Sequence, residues 1–208
     1  MRHALVLAAL LAAAPLAAQA PAAAPAAPAG WQVRLDRANA PAAPTFVSMG
    51  GGMHVTAGPA AIYFDPANRA SGNYSVKATF TQTKAPTHPE AYGLISSGTD
   101  LDSAGTQQYM YLIVRGDGKF ALKHRAGAEV HTLIDWTEHA AVQKQDAAGK
   151  ATNALEIRAT ADRTAYLVNG VEVAGFPRRA GDGAGIVGMR VNHNLDVHVA
   201  GFALERLP

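Results

Sequence analysis

One stretch limits the folds open to this chain more than any other. Residues 107–125, QQYMYLIVRGDGKFALKHR, can be read position by position as strand, turn and strand. With Gly116, Asp117 and Gly118 as a three-residue loop and a glycine in the left-handed position, Val114 faces Phe120, Leu112 faces Leu122 and Met110 faces His124. Those pairs make one apolar face. The opposite face carries Tyr109, Tyr111, Arg115, Lys119, Lys123 and Arg125, with Ile113 and Ala121 the apolar residues among them. A hairpin of this kind needs more strands to bury its apolar face.

The rest of the chain supplies them. Trp31, Val33 and Leu35 alternate with Gln32 and Arg34, and Tyr74, Val76, Ala78 and Phe80 alternate with Ser75, Lys77, Thr79 and Thr81. Within 46–56, Gly50, Gly51 and Gly52 are flexible positions ahead of Met53, His54 and Val55, which resemble a strand edge, and further short strands are predicted over 61–64, 91–97, 130–136, 155–160, 165–168, 171–173, 185–191 and 196–204. Asn169-Gly170 is a strong hairpin turn signal between two of them. Residues 139–150 are expected to be a polar connection with weak helical character. About a dozen short strands with no long amphipathic helix predict an antiparallel sandwich.

Length and leader divide the chain. Residues 1–20 combine Arg2, an apolar run from Ala4 to about Ala18 and small residues at Ala18 and Ala20, the pattern of a secretory signal peptide. The run is short and alanine-rich for a membrane span, with an uncleaved anchor as the other reading. Residues 21–30, PAAAPAAPAG, form an alanine-proline tether, and 31–208 are expected to be one β-sandwich domain. The expected location is periplasmic or extracellular. Removing residues 1–20 takes Arg2 from the 18 basic residues and nothing from the 16 acidic ones, leaving a formal charge of +1. Long runs of Lys or Arg are absent, so nothing draws the chain to nucleic acid. With 0 cysteines, an exported domain of this size must rest on its core alone.

The order YGLISSG, the 107–125 hairpin, HTLIDW, NALEIRATADRTAYLVNGVEV, GIVGMRV and LDVHVAGFAL resembles the concanavalin A-like or laminin G-like jelly roll. Within that superfamily it is most similar to the bacterial 3-keto-disaccharide hydrolase-like group. The resemblance implies two bent sheets, one presenting a concave face to carbohydrate. Laminarinase-type members carry an E-x-D-x-x-E strand that this chain lacks, whereas retaining glycosidase chemistry needs two closely spaced carboxylates.

Several motifs have plainer readings. Arg115-Gly116-Asp117 spells an adhesion tripeptide but falls where the hairpin needs turn formers. The glycines at 183, 185 and 188 match G-x-G-x-x-G, yet a β-branched strand follows rather than a helix. Asn73-Tyr74-Ser75 is a glycosylation sequon. His193, Asp196 and His198 lie close in sequence and His88 and Glu90 form a similar pair, but each set is short of a complete metal site, so hydrogen-bonded pairs and no metal are expected. Asp100 and Asp102 offer hard oxygen ligands of the kind calcium takes, against a solvated turn.

The candidate ligand residues are therefore Tyr109, Tyr111, Lys123 and Arg125, where rings stand beside donors, together with Asp135 and Trp136 at the end of a strand. They point to an exported module that binds carbohydrate or cell-envelope glycan. A hydrolase acting on a modified disaccharide and a structural envelope domain are the alternatives. If the domain binds sugar at this face, Tyr111→Ala and Arg125→Ala are expected to spare stability yet weaken glycan binding, and Leu112→Ala to do the reverse.

Overall fold

The computed structural model describes residues 26–37, 39, 40, 42–179 and 182–208. The expected signal peptide and the first half of the tether lie outside the described residues. Among those described, every helix or strand element is a strand: β1 (Gln32–Leu35), β2 (Thr45–Met49), β3 (Gly52–Thr56), β4 (Ala61–Ala70), β5 (Tyr74–Gln82), β6 (Ala91–Thr99) and β7 (Gln108–Arg115). After them come β8 (Lys119–Ala126), β9 (Glu129–Glu138), β10 (Ala151–Ala159), β11 (Arg163–Val168), β12 (Val171–Pro177), β13 (Gly185–Val191) and β14 (Asp196–Arg206). No helix among the described residues is long and apolar enough to cross a membrane.

The strands form two antiparallel sheets of seven. The first has the order β1-β4-β13-β6-β7-β8-β9 and the second β12-β11-β10-β5-β14-β3-β2. The all-β sandwich expected from the strand pattern is the fold observed. The β7–β8 hairpin has the register read from its turn, with Val114 opposite Phe120, Leu112 opposite Leu122 and Met110 opposite His124. Gly118, at φ 87°, takes the left-handed position of the loop. Asn169 and Gly170, at φ 50° and 80°, make the β11–β12 turn that their dipeptide predicts.

Burial explains why the strands look different from one another in sequence. β10 alternates: Ala151, Asn153, Leu155, Ile157 and Ala159 are buried, while Thr152, Ala154 and Arg158 face solvent. The second sheet thus has a wet outer face here. All seven residues of β13 are buried, as are Ala91–Ser96 of β6 and Tyr111–Val114 of β7. Strands covered on both faces must read as near-continuous apolar runs, which is the character of GIVGMRV and YLIV. The main core lies between the sheets, where Leu112, Val114, Phe120 and Leu122 meet Val76, Phe80, Leu155, Ile157 and Met189. Each such side chain contributes about 1.5–3 kcal/mol on burial.

Two local readings are corrected. Residues 139–150 form turns and loop with no helix. Buried polar groups hold them in that shape: Asn153 Oδ1 accepts the Gln143 N–H at 2.8 Å, and Gln82 Nε2 donates to Gln145 Oε1 and to the Gly149 carbonyl, each at 2.7 Å. The 61–64 strand runs on to Ala70, passing through Pro66. Its ladder with β13 shifts register between Ile186 and Gly188, so the proline sits in an irregularity and breaks no regular bond.

Candidate functional site

The outer face of the first sheet is built by alternation along β7 and β8. Leu112 and Val114 point between the sheets, so Tyr109, Tyr111, Ile113 and Arg115 point away, beside Ala121, Lys123 and Arg125. Tyr111 stands opposite Lys123 and Tyr109 opposite Arg125, the pairs expected from the sequence. This face is not simply solvated. Tyr109 and Tyr111 are only 1% and 4% exposed, and with Ile62, Phe64, Ile95, Ile113 and Ala121 they form a second buried cluster. Their rings lie 5.4 Å apart at 47°. The expectation that truncating Tyr111 spares stability therefore fails on burial, although the assignment of faces stands.

What lies among these rings is a cation from another strand. Arg190 of β13 sends Nη1 to Asp36 Oδ1 at 3.0 Å and to Tyr109 Oη at 3.1 Å, Nη2 to Asp36 Oδ2 at 2.5 Å, and Nε to Asn192 Oδ1 at 3.1 Å. Its guanidinium carbon also sits 5.3 Å from the Tyr111 ring centre. Burial alone pushes the Asp36 carboxyl up, but the hydrogen bond and charge of Arg190, with help from Arg125 and Arg34, hold it below its usual value. Burial raises the Tyr111 phenol to about 12 against the opposing charge of Arg190. Arg34 donates to Gln107 Oε1, while Gln107 Nε2 reaches the Ala104 and Gly127 carbonyls at 3.2 Å each. The neighbouring Arg125 Nε also donates to Gly127, at 2.7 Å.

Trp136 reaches the same face through a bulge. Ile134 pairs with Leu122 and Thr137 with Phe120, so Asp135 and Trp136 together oppose Ala121. The indole packs on the outer cluster with Arg115 4.3 Å and Lys123 5.6 Å from its centre. Asp135 is exposed, and its Oδ1 accepts the Trp136 N–H at 2.8 Å. Arg115 also chelates Asp117, with Nε–Oδ1 at 3.1 Å and Nη2–Oδ2 at 2.5 Å. The adhesion-like tripeptide is thus closed on itself in a hairpin loop.

Beyond Arg190 the face opens into a groove of about 850 Å³. Asp36, Arg37, Asn39, Pro59, Asn192 and His193 line it with Arg190. Its size falls in the range of small-molecule sites, and its amide and guanidinium groups offer paired donors and acceptors. Asp36, Arg190 and Asn192 escaped the sequence reading. Arg190 left one signal, a lone cation in an otherwise apolar strand.

The histidines regroup. Asp196 Oδ1 meets His54 Nε2 at 3.0 Å and Thr83 Oγ1 at 2.5 Å, while His198 lies 6.1 Å from His54 ring to ring. His193 leaves that set and joins His88 and Glu90. Asp100 and Asp102 are exposed in the β6–β7 connection, and neither belongs to a group of three close metal-ligating residues among the described residues.

No protein-family model and no curated protein sequence matches the chain. Solved structures do. A carbohydrate binding module, CBM66 from Bacillus subtilis, superposes with a TM-score of 0.62 at 12% identity over 85% of this chain and 95% of its own. A Bacillus subtilis protein of unknown function with a galectin-like fold gives 0.55 at 9% identity, covering 85% and 89%. The carbohydrate recognition domain of Emp47p gives 0.52 at 8% identity, covering 86% and 89%. The fold is a galectin-like, concanavalin A-like β-sandwich. At such identities the likeness concerns the fold alone.

Proposed function

We propose that this chain is an exported carbohydrate-binding module whose ligand site is the groove beside Arg190 and the adjoining outer face of the first sheet. The observation that carries the reading is the groove itself: a fixed Arg190–Asp36 pair at its base, with Arg37, Asn39, Asn192 and His193 around it. Planar amide and guanidinium groups match adjacent sugar hydroxyls, and a base locked by two hydrogen bonds costs little ordering on binding. Arg34, Arg125, Lys123 and Arg115 continue the face with positive charge, which favours saccharides that bear carboxylate or sulfate. Two structural neighbours, a carbohydrate binding module and a carbohydrate recognition domain, support the same class. Residues 1–20 support export to the periplasm or the cell exterior, where envelope glycans are the available partners.

A glycan array probed with the full chain, followed by calorimetry on the best ligands, tests this. Asn192→Ala and Lys123→Ala each weaken binding about tenfold, the equivalent of about 1.4 kcal/mol. Absence of binding to any neutral or acidic glycan sinks the reading. The hydrolase alternative, activity of the 3-keto-disaccharide type suggested by the order of sequence motifs, is separated by incubating the same ligands and assaying released monosaccharide. A purely structural envelope domain shows neither binding nor product.

A further inference from the structure

At the rim of the sandwich, β6 and β13 end side by side. Val191 pairs with Tyr92, and the Asn192 N–H donates to the Ala91 carbonyl at 2.9 Å. That ladder holds Glu90, just ahead of β6, against His193, just beyond β13. His88 reaches the same point from the β5–β6 loop. Glu90 Oε1 lies 3.1 Å from His88 Nδ1 and 3.0 Å from His193 Nε2, and the two imidazole centres are 4.9 Å apart. One ligand atom from each residue falls within 4.8 Å of the others.

We propose that His88, Glu90 and His193 bind a divalent transition-metal ion of the zinc class. Zn–N and Zn–O bonds of about 2.0–2.2 Å in a tetrahedral site place neighbouring ligand atoms roughly 3.3 Å apart. The two distances to Glu90 are already close to that. The remaining gap closes by rotation of imidazoles whose side chains are 50% and 46% exposed, while the carboxylate, at 10%, is the fixed corner. Two nitrogens and one oxygen suit zinc, cobalt, nickel or copper, and disfavour calcium and magnesium, which take oxygen ligands. Three protein ligands leave a fourth position for water or a bound molecule. His193 also lines the groove, so the site adjoins it.

A supporting group stands behind the site. Asn194, held at φ 58°, places Nδ2 3.3 Å from His88 Nε2. When Nδ1 ligates a metal, Nε2 carries the proton, and Asn194 then presents its oxygen after an amide flip. The site does not depend on the glycan reading, because ion binding is measured without any sugar.

Untagged full chain, stripped with chelator and dialysed, is titrated with ZnCl2 by calorimetry and its bound metal counted by mass spectrometry. One zinc per chain is expected. His88→Ala and His193→Ala each weaken it by about 100-fold or more, and Asn194→Ala by about tenfold. Co2+ in the same site gives the intense visible bands of four-coordinate cobalt in the unaltered protein and loses them in His193→Ala. His124→Ala removes one ring of a stacked pair whose centres are 5.8 Å apart on the β8–β9 hairpin, and leaves zinc binding unchanged. Should Glu90→Gln unfold, the two exposed-histidine variants carry the test. No zinc uptake by the unaltered chain, or uptake undiminished in the His88→Ala/His193→Ala double variant, overturns the proposal and leaves a hydrogen-bonded His–Glu–His chain.

Discussion

Replacing Asp36 by Asn removes the counter-charge of a buried cation and leaves the shape of the site almost intact. The Arg190 side chain is 11% exposed and that of Asp36 22%, and they share two hydrogen bonds of 3.0 and 2.5 Å. Removing one partner of a buried pair costs about 3–5 kcal/mol, and partial access of water to Asp36 places this case near 3. For a domain of this length that lowers Tm by roughly 6–12 °C. Arg190→Met added to Asp36→Asn removes the stranded charge, so the double variant is more stable than the sum of the single losses, by about 0.5–3 kcal/mol. The pH dependence has a definite sign. The folded carboxyl titrates below its unfolded value, so its contribution is complete above the ordinary carboxylate range near 4 and is lost as pH falls through the folded value. The Tm gap between the unaltered chain and Asp36→Asn is therefore widest at neutral pH and closes in strong acid. Thermal melts followed by circular dichroism from pH 7 down to pH 2 read all of this. A gap below about 2 °C at pH 7, or strictly additive single and double variants, refutes the coupling.

Tyr111→Ala lowers stability by about 3–5 kcal/mol and Leu112→Ala by about 2–5, because the residues are buried in clusters on opposite faces of one strand. Urea titration checks both, and a Tyr111→Ala midpoint equal to that of the unaltered chain contradicts the second cluster. Asp196→Asn weakens the tie between β14, His54 and Thr83 by about 1–3 kcal/mol. Burial raises that carboxyl, while Thr83, His54 and Lys84 together lower it below its usual value, so this loss too fades as pH falls past the carboxylate range. Gly93→Ala places a Cβ 1.9 Å from the Leu112 carbonyl oxygen, so the β6–β7 ladder must shift at a cost of at least about 1–3 kcal/mol, visible as accelerated amide exchange in β6 and β7.

The hairpin was legible because its information is local. Gly118 and Asn169-Gly170 set loop lengths, loop length sets register, and register decides which face each side chain takes. Burial of the outer face was not legible. Tyr109, Tyr111, Lys123 and Arg125 make the same alternating pattern whether water or protein lies over them, and their neighbours Ile62, Phe64 and Ile186 come from β4 and β13, remote in the chain. Trp136 carries an aromatic signal in the sequence, but the bulge that aims it requires knowing that Ile134 pairs with Leu122 and Thr137 with Phe120. The His88–Glu90–His193 group depends on β13 lying beside β6, a pairing that no local signal announces. Sequence proximity instead grouped His193 with Asp196, which the β13–β14 turn carries to the other sheet.

The place of β14 between β5 and β3 sets the order of events in folding. As the chain is delivered N-terminus first, β2 can pair with β3, and β10–β12 can assemble on β5, but these halves of the second sheet have no common neighbour until residues 196–206 arrive. The final join closes a loop from β3 that spans most of the domain, a slow step for a topology dominated by distant pairings. Until then two strand edges and the apolar faces behind them stay open to the wrong partners. The late-made strand therefore acts as the keystone, and the period just before it docks is when the chain is most exposed to aggregation.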